Sequence, residues 1–181
     1  MNKRTHSMHL TIGDVFEKIL PKSCSLIRDK ACGGKQHIPL FAIVEKSRKT
    51  EFCDVDLLVL KANKIKIIVE IEESDVKPTQ ICGKFLTSAL ARCYIHESRK
   101  NEPVEMDDSV TFIQIVDTSK LVKDKTAKFK QWEGLGKAIN RILPLRDSRI
   151  TTYRLLYGSE SDVNSDLQKK LISIVEEACN R

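Results

Sequence analysis

The sequence predicts an α/β fold: a mixed sheet, made of an antiparallel hairpin plus parallel strands, flanked by helices in a single domain over residues 1–181. Three observations carry this reading. Two apolar, β-branched runs, 52–60 and 65–71, are separated by Ala62-Asn63-Lys64, too short a link for a crossover, so they pair as a hairpin. A further buried-type run at 110–116 follows a helical segment and is therefore expected to lie parallel to a neighbour. Helical spacing of apolar residues before, between and after these runs supplies the covering layers.

Taken in order, the chain opens with a helical pattern over 10–29 built on Ile12, Val15, Phe16, Ile19 and Leu20, broken or kinked at Leu20 by Pro21. Cys32-Gly33-Gly34-Lys35 is a turn signal. Strand-like runs follow at 38–44, 52–60 and 65–71. Pro78 opens a helix whose buried stripe is Ile81, Phe85, Leu86, Leu90 and Ala91. Residues 101–108 read as a polar loop and 110–116 as a buried strand. Residues 129–143 read as a helix, weakened by Gly134 and Gly136, 150–157 as a strand, and 163–179 as an amphipathic helix with Leu167, Leu171, Ile174 and Val175 inward. The expected order is α-β-β-β-α-β-α-β-α, without repeats or low-complexity segments.

Composition narrows the function classes. No apolar run reaches the roughly 18–20 residues that span a bilayer, and the basic N-terminus is not followed by a signal-peptide core, so a cytoplasmic protein with no membrane partner is expected. The six cysteines show neither C-x-x-C pairs nor zinc-ligand spacing and read as reduced thiols. The net charge of +6 is mild evidence for a polyanionic partner. Lysines cluster at Lys120, Lys123, Lys125, Lys128 and Lys130, with Arg146 and Arg149 further on; such residues are either a solvated face or phosphate contacts. There is no G-x-G-x-x-G, no phosphate-loop motif and no G-x-S-x-G, and the four histidines read as surface or loop residues.

The informative stretches are Glu51-Phe52-Cys53-Asp54-Val55-Asp56 and Val69-Glu70-Ile71-Glu72-Glu73. Side chains alternate along a strand, so Asp54 and Asp56 share one face, as do Glu70 and Glu72 on the partner strand. A tight hairpin then brings four carboxylates together near the end of an apolar sheet. Like charges repel and burial raises their pKa values, so the arrangement calls for a cation. Mg²⁺, a hard ion that prefers oxygen ligands, fits, and it suits hydrolysis of a phosphodiester.

The helix–strand–hairpin–helix–strand order, with Asp56 in the second strand and Glu70-Ile71-Glu72 ending the third, resembles the PD-(D/E)xK nuclease superfamily over about residues 10–116. The resemblance implies a restriction-endonuclease-like core and a Mg²⁺-dependent endonuclease acting on DNA, with Mn²⁺ able to substitute. A type II restriction enzyme is its most specific version; such enzymes usually work as dimers, which makes a homodimer an open expectation. It assigns Asp56 and Glu70 as metal ligands and Glu72 as a ligand or water-orienting group. Glu72 stands where the family usually has Lys. Some restriction endonucleases carry Glu there, and elsewhere in the superfamily the Lys moves to the next helix, which points to Lys84 ahead of Lys77. Glu17 on the first helix is a further acid of the kind related nucleases supply. The alternative is a non-catalytic nucleic-acid-binding or interaction protein on the same fold.

Overall fold

The computed structural model describes residues 7–72, 76–121, 125–164 and 166–180. Helix α1 (Ser7–Ile19) buries Met8, Ile12, Val15 and Phe16 and stops before Pro21, whose ring nitrogen carries no hydrogen to extend it. The helical pattern read as far as residue 29 therefore ends early. An unexpected strand follows, β1 (Cys24–Arg28), antiparallel to β4 (Leu57–Lys61) with Leu26 opposite Val59.

The expected strand at 38–44 shrinks to β2 (Pro39–Phe41), which pairs with β3 (Glu51–Asp54). The single strand expected over 52–60 is in fact two. The chain leaves β3 at Asp54 and restarts at Leu57 as β4, between β1 and β5 (Lys64–Glu72). The β4–β5 hairpin itself forms as expected. Lys61 pairs with Lys64 across Ala62 and Asn63, whose φ angles of 50° and 61° make the left-handed turn that matches strand twist. For Ala62 that conformation costs about 1 kcal/mol.

Helix α2 (Pro78–Leu90) starts with Pro at its first turn and lays Ile81, Phe85 and Ala89 on the sheet. Leu86 and Leu90, expected inward, are about half exposed at 48% and 54%. Each is one residue, about 100° of helical turn, past a buried position. After β6 (Cys93–Tyr94), β7 (Val104–Asp117) begins within the stretch read as a loop and runs parallel to β5. Helix α3 (Lys125–Ile142) carries the chain back so that β8 (Ile150–Gly158) also lies parallel to β7. Helix α4 (Asp166–Asn180) closes the fold.

The main sheet runs β1-β4-β5-β7-β8, with β6, β2 and β3 joined to it through the start of β7. Helices α2 and α3 cover one face over Leu58, Ile68, Phe112 and Tyr153. Helices α1 and α4 cover the other over Leu57, Val59, Val69, Ile113 and Ile115. A mixed sheet flanked by helices is therefore what the sequence folds into. Burial on both faces explains why the central strands read as unbroken apolar runs. All six cysteines are free thiols, and Cys24 Sγ lies 3.3 Å from Cys179 Sγ. No described helix is long and apolar enough to cross a membrane.

Beneath α2, Phe85 meets Phe112 and Tyr153 edge-on at centroid distances of 5.9 and 5.3 Å. Because the ring is 3% exposed, Phe85→Ala is expected to remove about 3–5 kcal/mol of stability in urea unfolding. A loss below about 1 kcal/mol would mean that α2 is not held by this contact.

Candidate functional site

The hairpin register decides which acids meet. Leu57 pairs with Val69, so Asp56, just before β4, stands level with Glu70 at the open end of the hairpin. The Asp56 carboxylate turns back onto β5, where its Oδ2 accepts the Ile71 N–H at 2.6 Å. Asp54 does not join it: β3 pairs Asp54 with Pro39, and its side chain is exposed. The break at Val55 thus separates two acids that strand alternation alone would have kept on one face.

Glu70 and Glu72 share the face of β5 that lies beneath α2. Helix α2 reaches over that face and delivers Lys84, whose Nζ lies 2.9 Å from Glu70 Oε2 and 3.2 Å from Glu72 Oε1. A lysine at the seventh residue of α2, in its second turn, can do this because Pro78 fixes where the helix starts and the Ile81–Phe85 stripe fixes its rotation. Glu70 is 1% exposed, and its Oε1 is buried without a hydrogen-bond partner. Glu72 Oε1 also accepts from Gln114 Nε2 at 3.2 Å, and Gln114 Oε1 accepts from the Tyr153 hydroxyl at 2.9 Å. A continuous polar line therefore runs Lys84–Glu72–Gln114–Tyr153 beneath α2, across β5, β7 and β8. His9 of α1 approaches from the opposite layer, its Nε2 3.8 Å from Asp56 Oδ2.

Three carboxylates here face one lysine, and the electrostatics follow from that imbalance. Burial pushes Glu70 up to about 8, the Asp56 charge adds to the rise, and Lys84 opposes it. Asp56 is raised by burial and held back by His9 and the Ile71 N–H. For Lys84, burial works against the ammonium, but Glu70 and Glu72 outweigh it and the net shift is upward. Glu70 and Lys84 thus disagree as a pair, one favouring its neutral form and the other its charged form. The geometry resolves this: Lys84 is shared between two carboxylates and neutralises only one, so it keeps its proton while Glu70 takes one.

Other expected residues fall elsewhere. Glu17 is bound by Arg28, which also holds Asp14 at 2.9 Å, so it serves the α1–β1 junction and not the carboxylate cluster. Lys77 is exposed at the start of α2. Lys120, Lys125, Lys128 and Lys130 lie after β7 and in the first turns of α3, at the same end of the sheet as Glu72. Lys123 and Glu73 lie outside the described residues. Arg146 and Arg149 precede β8 and stand at the other end, where Arg149 pairs with Asp108 at 2.6 Å and Arg146 with Asp147 at 3.8 Å. Leu155 is level with Glu70 through Gln114, and at about 3.3 Å per residue Ile150 lies roughly 16 Å down the strand. A helix that returns between parallel strands necessarily starts at one end of the sheet and exits at the other. The basic set read as one group is split by that geometry.

Sequence reasoning missed His9 and Gln114. His9 was read as surface or loop, yet it is 7% exposed; its spacing with Ile12 and Phe16, on one helical face, was the available signal. Gln114 is a lone polar residue in the apolar run of β7, on the same face as Phe112 and Val116, and is 0% exposed. Among the described residues, no group of three His, Cys, Asp or Glu side chains is arranged to hold a metal ion. Asp56 and Glu70 stand level across the hairpin, and the orphaned buried Oε1 of Glu70 is a donor atom of the kind a hard cation takes. No family model, curated protein or solved structure matches the chain.

The Glu70 shift makes a pH prediction for protein kept in EDTA. A carboxyl whose folded pKa lies above its unfolded value gives stability that is fully present below about 4.5 and is lost as pH rises through about 8. Urea unfolding at pH 5, 7 and 9 should show falling stability for the native chain and a flatter profile for Glu70→Gln. Parallel profiles for the two proteins would contradict a buried, proton-holding Glu70.

Proposed function

We propose that this chain is a metal-dependent nuclease with a restriction-endonuclease-like core, cutting DNA by hydrolysis of the phosphodiester. The observation that carries the reading is Lys84 Nζ at 2.9 Å from Glu70 and 3.2 Å from Glu72, beside Asp56, at the carboxyl end of the central parallel strands. A carboxylate pair with a lysine from the next helix resembles the variant of the PD-(D/E)xK pattern in which the motif Lys has moved, and this supports the reading. It is also the end of the sheet at which open α/β folds characteristically bind ligands.

In this reading Asp56 and Glu70 hold Mg²⁺ or Mn²⁺, Asp56 oriented by the Ile71 N–H and Glu70 offering its unpartnered Oε1. Such an ion would stabilise negative charge on a phosphoryl oxygen and lower the pKa of a bound water. The Lys84 ammonium keeps its proton and orients water or phosphate oxygen by hydrogen bonding. Glu72 keeps Lys84 in place and is itself fixed by Gln114, a role different from that of a metal ligand. Lys120, Lys125 and Lys128, at the same end, would contact the phosphate backbone, which positions the duplex without reading its sequence.

A second reading, a non-catalytic nucleic-acid-binding protein on the same fold, is favoured by one observation. Lys84 already closes a salt bridge with both glutamates, as a purely structural ion pair would.

Cleavage of mixed plasmid and phage DNA with Mg²⁺, Mn²⁺ or EDTA separates the two. Metal-dependent cutting is expected, and Asp56→Asn, Glu70→Gln and Lys84→Ala should each lower it by at least about 100-fold, the loss expected when a group acting in the transition state is removed. Wild-type turnover in all three variants would remove Asp56, Glu70 and Lys84 from the site, no cutting with either metal would eliminate the nuclease reading, and metal-independent binding without cutting would select the second. For the basic residues, Lys125→Ala with Lys128→Ala should weaken binding and reduce the salt slope by about 0.9 per lost phosphate contact. Arg146→Ala with Arg149→Ala should leave the slope unchanged; the reverse pattern would place DNA at the opposite end of the sheet.

A further inference from the structure

Strand β8 ends the main sheet, and among the described residues no strand pairs with its outer edge. That edge lies at the bottom of a cleft of about 810 Å³ walled by α3 on one side and α4 on the other. One position of the edge is already hydrogen-bonded as a neighbouring strand would bond it. Asn140 of α3 donates to the Tyr153 carbonyl at 3.0 Å and accepts the Tyr153 N–H at 3.4 Å. Backbone groups alternate sides along a strand, so those of Leu155 and Tyr157 face the cleft as those of Tyr153 do.

The wall beside those two residues is cut back. Gly134 and Gly136 lie on α3, where each glycine costs the helix about 1 kcal/mol relative to Ala. A Cβ on Gly134 would meet no protein atom within 4 Å, and one on Gly136 would meet only Leu155 Cβ at 3.6 Å.

Charge selects the occupant. Lys137 and Arg141 line the α3 wall, Arg154 and Lys170 the α4 side, against a single carboxylate, Glu133, which the Tyr157 hydroxyl holds at 3.0 Å. Arg154 is paired with Glu177 at 3.3 Å and Lys170 with Asp166 at 2.6 Å. Lys137 and Arg141 have no ion-pair partner among the described residues. A second copy of this chain would bring the same cations edge to edge, and the two helical walls would hold the sheets apart.

We propose that the β8 cleft takes a short, extended, acidic peptide segment of another protein, added as a strand against Leu155 and Tyr157. Main-chain hydrogen bonds to the edge give affinity, and alternate side chains point to the two walls, so that acids meet Lys137 and Arg141. This site takes in none of Asp56, Glu70 and Lys84, and its occupation is read without any cleavage.

The test titrates the pentapeptide acetyl-Val-Glu-Val-Glu-Val-amide into the ¹⁵N-labelled full chain, with the Lys-for-Glu peptide and oligo(dT) as comparisons. Amide shifts and slowed hydrogen exchange are expected at Leu155 and Tyr157 with the acidic peptide alone. Lys137→Glu combined with Arg141→Glu should weaken its binding at least tenfold. The doubly substituted chain should keep its Tm, because Lys137 and Arg141 are exposed, so that a folding defect cannot account for the loss. No shifts along β8, unchanged binding in the doubly substituted chain, or binding of oligo(dT) in place of the peptide would overturn the proposal.

Discussion

The Lys84 ammonium is the constraint on which the arrangement at the sheet's carboxyl end depends. Glu70 and Glu72 are both nearly inaccessible, at 1% and 9% exposure, and point under the same helix. Two bare carboxylates in that position would repel and would be poorly solvated, with no shell of water to compensate. A lysine shared between them removes part of the penalty and ties α2 to β5 at the same time. What it leaves over is one excess negative charge, with Asp56 adjacent. Burial and the neighbouring Asp56 charge favour a proton on Glu70, which offsets that excess.

The parallel pairing of β5, β7 and β8 extends this local feature across the sheet. It aligns Glu70 with Gln114 and Leu155 and Glu72 with Val116 and Tyr157, so that polar residues from successive strands can form a line across the sheet. Tyr153 shows how closely the core and the line are joined. Its ring stacks on Phe112 while its hydroxyl holds Gln114. The aromatic packing beneath α2 and the orientation of Glu72 are therefore not separable, and a change in one moves the other.

Much of this was legible in the sequence, and the losses have identifiable causes. The β4–β5 hairpin, the Pro78 helix start, the parallel placement of β7 and the inward face of α4 followed from period and turn chemistry alone. Strand β1 was hidden because Cys24–Arg28 is short and directly follows a helical pattern, and nothing local separates it from the helix beyond Pro21. The Asp54–Asp56 pair was misread because alternation holds only while a strand continues, and the break at Val55 is imposed by the choice of partners, β2 for β3 and β1 with β5 for β4. Glu72 and Lys84 were both visible as candidates. Their contact was not, because it depends on the rotation of α2 about its axis, which Ile81 and Phe85 set through long-range packing. The separation of Arg146 and Arg149 from the lysines was invisible for a related reason: nearness in sequence was read without the direction in which α3 crosses.

The two-residue turn at Ala62-Asn63 has a kinetic consequence. Hairpins closed by such turns form within about 1–10 μs, far ahead of a parallel pairing that must wait for a crossover helix. The β4–β5 ladder zips outward from Lys61 and Lys64, so the last rungs to close are those beside Asp56 and Glu70. These are also the rungs that bring two negative charges together before α2 has arrived with its lysine. The open end of the hairpin is accordingly expected to fray while the turn end is already formed, and docking of α2 is the event that lets it close. The acids of the carboxylate cluster would then be what makes the completion of the first-formed element dependent on the next.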